Sequence, residues 1–244
     1  MISKRLIGGT LTGRLLPLSL FGDDIHLLVY NEPLTMTFNA LDVSSWNDQT
    51  KYGNDVSTPV TSQEPFWNTV TKALEFDGIG NQFVMPISVW DTDLLGTWCI
   101  RFEDQEGTGV NSFIIDAGYS NTDRILLYFN TADQLLLTIK DTSVSTVLTF
   151  PNVVTRSSDS NIILKSNGTT YAASQNGVDL GVPLTNNNGK WYGDLRDLST
   201  KSVISGNSTG ATYFQNAYKS ILYINRDTTA NEDTKVLTWL NNLE

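Results

Sequence analysis

The sequence predicts an all-β sandwich of two antiparallel sheets, with an extended N-terminal arm and a short C-terminal helix. Short apolar runs recur along most of the chain, and clusters of Gly, Asn, Asp, Ser and Thr separate them. Charged residues make up only 17% of the 244 residues, which favours an all-β protein with a polar, uncharged surface. A chain of this length buries a sizeable core in one domain. We therefore expect an arm over residues 1–30 and one sandwich over residues 31–244.

The N-terminal segment MISKRLIGGTLTGRLLPLSL is basic, although the chain as a whole is acidic. Gly8-Gly9 and Arg14 interrupt its apolar stretch, so it does not have the core of a signal peptide. The sequence contains no uninterrupted run of about 18 apolar residues, so insertion into a membrane is not expected. We interpret the segment as an arm that docks into a partner subunit or packs on its own domain. Its candidate partner-anchoring residues are Lys4, Arg5 and Arg14.

Apolar periodicity predicts the first strands. Residues 25–30 (IHLLVY) form a continuous apolar run, and residues 34–41 alternate, with Leu34, Met36 and Phe38 on one face. We expect this second strand to be half-buried through that face.

Residues 71–86 (TKALEFDGIGNQFVMP) carry two short strands around the turn Asp77-Gly78-Ile79-Gly80-Asn81. Gly and Asn adopt positive φ readily, so we expect a tight hairpin-like connection. Two further hairpin turns are predicted at Asn167-Gly168 and Asn176-Gly177. Other strands are expected over residues 94–102, 112–117, 124–130, 134–140, 145–150, 160–166, 169–174 and 211–225.

The C-terminal residues 231–243 (NEDTKVLTWLNNL) predict a helix. Four apolar side chains form a single stripe on it, and Asn231 is a candidate N-cap. The stripe consists of Val236, Leu237, Leu240 and Leu243.

Several motifs, in this order, resemble concanavalin A-like lectin/glucanase (laminin-G-like) jelly-roll domains. They are Trp46 with Gly53-Asn54-Asp55, ALEFDGIGNQF at residues 73–83, TWCIRF at 97–102, and SILYINR at 220–226 followed by the helix. Lys51-Tyr52 departs from the small residues common in the first motif. The chain most resembles such domains in bacteriophage head-decoration, fibre or tail proteins. The resemblance implies a concanavalin A-like jelly roll displayed on a virion.

Composition disfavours several functional classes. The net charge of −10 repels phosphate backbones, so we do not expect a nucleic-acid partner. The single cysteine, Cys99, permits no intrachain disulfide and no cysteine-based zinc site, and we expect it to be a buried thiol. The single histidine, His26, lies outside the expected domain, which disfavours a Ser-His-Asp or Cys-His mechanism.

Glycoside hydrolases of the resembled superfamily carry paired acids on one strand in the pattern E-x-D-x-(x)-E. Glu103-Asp104-Gln105-Glu106 has a different spacing and lies before glycines, and Glu75-Phe76-Asp77 runs directly into Gly78. We interpret both groups as solvated loop acids and predict that the protein is not an enzyme.

A sugar site needs exposed aromatic rings beside polar groups. The loop aromatics Trp67, Tyr119, Trp191 and Tyr192 are the candidates, although simple packing explains each equally well. Trp46, Trp90, Trp98 and Trp239 are expected in the core or over it.

A calcium site is a second candidate, because Ca²⁺ takes oxygen ligands and many laminin-G-like domains place one at the rim. The candidate ligands are Asp77, Asn81, Asp116, Asn121 and Asp123. The alternative, which we favour, is that these Asp and Asn residues form local turn bonds.

These observations lead to one main hypothesis and two alternatives. The main hypothesis is a non-enzymatic bacteriophage virion protein, anchored by its arm to other virion proteins and displaying the sandwich for adhesion to host or environmental glycans. We expect a homo-oligomer on the virion exterior. The alternatives are a free carbohydrate-binding lectin module on a bacterial surface, and a glycoside hydrolase with an unusual acid pair, Glu103 and Glu106.

Overall fold

A computed structural model describes residues 16–89, 92–118, 123–142, 144–156, 159–183, 185–195, 202–205 and 214–243. The described residues form seventeen strands and two α-helices. The helices are α1 (Leu16–Phe21) and α2 (Ala230–Asn241). The strands, numbered along the chain, are β1 (Ile25–Tyr30), β2 (Met36–Asn39), β3 (Asp42–Trp46), β4 (Val56–Ser57), β5 (Phe66–Asn68), β6 (Ala73–Glu75), β7 (Phe83–Met85), β8 (Gly96–Asp104), β9 (Ser112–Gly118), β10 (Arg124–Phe129), β11 (Gln134–Asp141), β12 (Val144–Val153), β13 (Ser160–Ser166), β14 (Tyr171–Gln175), β15 (Val178–Asp179), β16 (Ser202–Ile204) and β17 (Asn216–Ile224).

The strands build two antiparallel sheets. The first sheet has the order β1-β17-β8-β13-β14-β15. The second has the order β2-β3-β4-β7-β16-β9-β10-β11-β12. Strands β5 and β6 join the two, since β6 pairs with β17 and β5 reaches β3 through one residue pair. The predicted all-β sandwich with a C-terminal helix is therefore confirmed.

Alternation along the strands divides the apolar side chains between two clusters. In β8, Trp98, Ile100 and Phe102 point into the large cluster between the sheets. Cys99 points the other way, into a smaller cluster beneath the helices, and is a buried free thiol. Each fully buried large side chain contributes about 1.5–3 kcal/mol relative to exposure, so the large cluster dominates stability.

Helix α2 covers the outer face of the first sheet. Val236, Trp239 and Leu240 pack on the outward side chains of β1, β13 and β17, whereas Leu237 is only partly buried. The predicted apolar stripe therefore forms the buried face of α2, and Trp239 is an additional member of that face. The predicted Asn231 cap is wrong, because Thr229 is the N-cap and forms a reciprocal capping box with Glu232.

The predicted hairpin at Asp77–Asn81 is also wrong. Strand β6 pairs with β5 and β17, and β7 pairs with β4 and β16, so the turn crosses from one sheet region to the other. Phe76 and Phe83 instead meet edge to face in the core, with ring centroids 5.7 Å apart. The Asp77–Asn81 turn forms as the sequence predicts, but the strands on either side of it pair with distant strands.

The predicted burial of residues 34–41 is confirmed only in part. Met36 is buried, but Leu34 is 74% exposed and Phe38 is 36% exposed. Leu34 lies before the strand, in the one-turn 3-10 helix over Pro33–Thr35, so it takes no part in the alternation. The β2–β3 register shifts between Thr37 and Phe38, and this irregularity displaces Phe38 from the buried face.

The predicted boundary between arm and sandwich, at residue 30, is wrong, because the sandwich begins before that residue. Strand β1 pairs with β17 along its length, and Leu27 and Val29 belong to the core between the sheets. Helix α1 also contacts α2. Residues 16–30 are thus part of the sandwich, and Lys4, Arg5 and Arg14 lie outside the described residues. Neither described helix is long and apolar enough to cross a membrane.

Candidate functional site

An open pocket of about 240 Å³ lies where the β11–β12 hairpin faces the loop over residues 185–190. We call it the hairpin pocket. It combines an apolar floor with hydroxyl, amide, carboxylate and ammonium groups. Its lining residues are Ile139, Asp141, Thr142, Val144, Thr146, Asn188 and Lys190.

The hairpin supplies one wall through cross-strand pairs. Ile139 lies opposite Thr146, and Asp141 lies opposite Val144, so all four side chains share one face of the hairpin. Ile139 belongs to the core and forms the floor. At the turn, Thr142 has a positive φ of 50°, and its backbone N–H donates to the Asp123 carboxylate at 2.9 Å. That bond orients the hairpin tip.

Two buried aromatics anchor the opposite wall. The Trp191 Nε1–H donates to the Tyr223 hydroxyl at 2.9 Å, and the Trp98 Nε1–H donates to the Tyr192 hydroxyl at 3.0 Å. Burial raises the pKa of the Tyr192 and Tyr223 hydroxyls well above the usual tyrosine range, so both stay protonated. The Asp194 carboxylate accepts the Trp191 backbone N–H at 2.7 Å, which fixes the turn that follows.

The loop itself is held against the β13–β14 hairpin. Gly189 has a φ of +68°, and a Cβ there would lie 2.2 Å from the backbone nitrogen of Thr169, so only glycine fits. The Tyr171 hydroxyl donates to the Lys190 carbonyl, and the Asn187 side-chain oxygen accepts the Tyr171 backbone N–H at 2.6 Å. These contacts pre-position Asn188 and Lys190 at the pocket.

The polar groups of the pocket form a linked set. The Lys190 ammonium lies 2.9 Å from the Asp141 carboxylate and bridges the two walls. The Thr142 hydroxyl donates to the other Asp141 oxygen at 3.0 Å. The Asn188 side-chain oxygen accepts the Lys190 backbone N–H at 3.1 Å, while its NH₂ group has no hydrogen bond to any described residue. The pocket therefore offers donors and acceptors to a hydroxylated ligand.

The predicted aromatic sugar platform is wrong for its described members. Trp67 is 3% exposed, Trp191 is 0% exposed and Tyr192 is 1% exposed, so none of these rings can stack on a ligand at the surface. The prediction rests on their positions in predicted loops, which do not determine whether a ring faces solvent or the core. Trp191 and Tyr192 instead anchor the pocket loop from inside. Tyr119 lies outside the described residues.

The predicted convergence of calcium ligands is also wrong for the described members. The Asp116 carboxylate forms two bonds of 2.6 Å with the Arg124 guanidinium, and Asp123 holds the Thr142 backbone. Among the described residues, no group of three or more His, Cys, Asp or Glu side chains lies close enough to hold a metal ion. Asn121 lies outside the described residues.

Asp77 and Asn81 do come together, but they serve the turn. One Asp77 oxygen accepts the backbone N–H groups of Ile79, Gly80 and Asn81 at 2.9–3.1 Å, and the Asn81 oxygen accepts the Asp77 N–H at 3.0 Å. Partial burial raises the pKa of the Asp77 carboxyl, but these backbone bonds outweigh it and leave the pKa below its usual value. The favoured alternative of local side-chain bonds is confirmed here.

The acidic residues considered for hydrolysis do not form a catalytic pair, because each described carboxylate is bound by a different partner. Asp104 is buried against Arg156. The Glu106 carboxylate accepts the Gln215 backbone N–H at 2.6 Å, and the Glu75 carboxylate accepts the Asn68 amide at 2.7 Å. The interpretation of Asp104 as a solvated loop acid is wrong, because it ends β8 inside the protein.

Sequence reasoning missed the polar residues of the pocket. Asn188 and Lys190 lie in the loop that carries the predicted sugar-binding aromatics Trp191 and Tyr192, and Asp141 and Thr142 lie in a turn between two predicted strands. The signal available was the run Asn186-Asn187-Asn188-Gly189-Lys190. Pairing it with the β11–β12 turn requires the tertiary fold, since the two are far apart in sequence.

No protein-family model matches the sequence, and no curated protein sequence matches it significantly. Solved structures share its fold. Trypanosoma rangeli sialidase in complex with sialic acid aligns over 89% of this chain, with 14% identity and a TM-score of 0.61. Botulinum neurotoxin type C, whose cell entry depends on interaction with two ganglioside molecules, aligns over 91%, with 11% identity and a TM-score of 0.63. This chain spans 33% of the sialidase chain and 53% of the toxin chain.

The TM-scores show a shared β-sandwich fold, and at identities this low the likeness shows the fold alone. Because sialidases are among the structures that share the fold, the prediction that the protein is not an enzyme no longer holds. That prediction depended on the absence of one strand-borne acid pair, and one missing motif does not exclude catalysis.

Proposed function

We propose that this protein binds carbohydrate and that the hairpin pocket receives a terminal sugar. The observation that carries the proposal is the pocket's combination of an apolar floor with a linked set of hydroxyl, amide, carboxylate and ammonium groups. A sugar presents an apolar ring face and many hydroxyls, and both find partners there. The volume of about 240 Å³ lies below the roughly 300–1,000 Å³ that encloses drug-sized ligands, which favours a single terminal residue.

The structural neighbours suggest which glycans to test first. One is a sialidase holding sialic acid, and the other is a toxin that interacts with gangliosides, which are sialylated glycolipids. In this chain, the Lys190 ammonium is the group that would approach a sugar carboxylate, and Asn188 would donate to an adjacent hydroxyl. The Asp141 carboxylate balances the lysine charge, so neutral sugars belong in the same test.

A glycan array with sialylated and neutral glycans, followed by titration calorimetry on the best binder, tests the proposal. Thr146→Val replaces the Thr146 hydroxyl with a methyl group and leaves the Thr142 hydroxyl in place, and we expect binding to weaken by about 2–10-fold, the equivalent of one hydrogen bond. Asn188→Ala should weaken it similarly. Thr37→Val is the matched control, since Thr37 is an exposed residue of β2, at the opposite end of the second sheet from the pocket.

Binding that is unchanged in both pocket variants would place the sugar elsewhere and overturn the site. A blank array with folded protein would overturn the function. Incubating the bound glycan with the protein and analysing it for cleavage tells whether recognition is accompanied by hydrolysis.

A more specific proposal concerns the biological setting, and the sequence resemblance to phage structural proteins is its support. In this setting the protein is displayed on a virion exterior, with Lys4, Arg5 and Arg14 contacting other virion proteins. Mass spectrometry and antibody labelling of purified particles test it. Detection on bacterial cells without particles would support the alternative of a bacterial surface lectin module.

A further inference from the structure

Strand β12 is the last strand of the second sheet in the described part of the chain, and its far edge pairs with no described strand. Among the described residues it pairs only with β11. Ten residues make it the longest described strand, and alternate residues direct their backbone groups away from β11. The outward groups of residues 144–150 make no hydrogen bond to any described residue outside the hairpin.

The remainder of the same strand is closed. The Asn152 N–H donates to the Leu180 carbonyl at 3.1 Å, and the Asn152 side chain reaches the Asp179 carbonyl at 3.0 Å. Pro151 has no N–H to offer, and the register with β11 shifts beside it. The open edge is therefore residues 144–150, and we call it the β12 edge.

The β12 edge lacks the features with which proteins usually protect such strands. Its sequence, VSTVLTF, contains no charge, no proline and no glycine, and four of its seven residues are β-branched. Val144 is 68% exposed and Val147 is 40% exposed. An uncharged, exposed edge of this length is a template for another strand.

We propose that the partner is a second copy of this chain, paired antiparallel through the β12 edge about a two-fold axis at Val147. An antiparallel strand pair is self-complementary under two-fold symmetry. In this register, Ser145 faces Thr149 of the other copy on the outer side, and Thr146 faces Leu148 on the inner side. Although each chain carries a net charge of −10, no like charges meet across the edge. The second sheet then runs continuously through both copies.

Dimer formation through the β12 edge does not depend on sugar binding, but it would change how the protein binds sugar. Val144 and Thr146 line the hairpin pocket and also lie in the β12 edge, so each pocket adjoins the interface. Each dimer would present two hairpin pockets, and such bivalency raises the avidity for clustered glycans.

Sedimentation velocity over a range of concentrations tests the dimer. We expect the unmodified protein to reach twice its chain mass of 27.0 kDa. Val147→Lys places two ammonium groups at the two-fold axis, and we expect it to sediment as a monomer at every concentration. Val70→Lys is the matched control, because Val70 is 88% exposed in the β5–β6 turn, and it should remain a dimer. A monomeric unmodified protein, or a dimer that survives Val147→Lys, overturns the proposal.

Oxidative cross-linking tests the register. The only native cysteine, Cys99, is buried, so Val147→Cys introduces the one exposed thiol. Facing residues of antiparallel strands have Cα atoms about 4.5–5.5 Å apart, which suits a disulfide. We expect a covalent dimer from Val147→Cys and not from Val70→Cys. Equal cross-linking of the two variants would show that the dimer, if formed, uses another surface.

Discussion

Arg156 is a cation buried inside the described part of the sandwich. Its guanidinium donates to the Asp104 carboxylate, to the Val110 carbonyl at 2.6 Å and to the Asp133 carboxylate at 3.0 Å. It also lies 5.4 Å from the centroid of the Phe129 ring. These partners belong to several connecting segments, so one side chain ties together the loops that follow β8, β10 and β12. Its charge is tolerated because two carboxylates and the backbone carbonyls of Val110 and Asn130 surround it.

We predict that Arg156→Met lowers the free energy of unfolding by about 3–5 kcal/mol, because it leaves the Asp104 carboxylate buried without its cation. Urea denaturation measures the change. The double variant Arg156→Met/Asp104→Asn should recover part of the loss, since it removes the unpaired charge. Lys51→Met is the control, because the Lys51–Asp23 pair is at the surface. A loss as large in the control would show that the burial of Arg156 is not the cause.

Helix α2 is the element that closes the outer face of the first sheet. Its apolar face is set by sequence, but its N-terminus is fixed by contacts with distant residues. The Arg226 guanidinium bonds to Glu232 at 2.6 Å and to Asp24 at 2.7 Å, which links the helix start to the segment before β1. The hydrogen bond from Arg226, assisted by the Thr229 cap, lowers the pKa of Glu232 from 4.5 to about 2.

We predict that this helix end is sensitive to acid. A carboxyl whose pKa is lowered on folding stabilises the protein above its unfolded pKa, and the stabilisation is lost as the pH falls through the folded pKa. Glu232→Gln, which keeps a capping acceptor, should therefore have a lower melting temperature than the unmodified protein at pH 7. The difference should shrink between pH 4.5 and pH 2. A difference that is the same at all pH values would show that the ion pair is not responsible.

At the scale of the whole molecule, the segment over residues 16–30 completes the sandwich rather than extending from it. Strand β1 supplies an edge of the first sheet, and its Leu28 and Tyr30 pack beneath the helices while Leu27 faces the large core. Removing it would expose both clusters at once.

We predict that a fragment of residues 16–244 unfolds cooperatively, whereas a fragment of residues 31–244 does not fold. The second fragment loses β1, whose fully buried Leu, Val and Ile side chains each contribute about 1.5–3 kcal/mol. Circular dichroism and thermal melting of the two fragments measure this directly. A cooperative transition in the shorter fragment would restore the boundary at residue 30.

The sequence by itself determined the local structure of this protein. Alternation placed most strands, Asn167-Gly168 and Asn176-Gly177 closed the predicted hairpins of β13–β14–β15, and the apolar stripe placed α2. These features depend on residues close together in the chain. The tertiary structure decided what depends on distant partners: which strands flank the Asp77 turn, whether Trp191 and Tyr192 are exposed, and that Asn188 and Lys190 meet Asp141. A polar sequence neighbourhood does not show which side of a loop faces the core, because burial is set by the elements that pack against it.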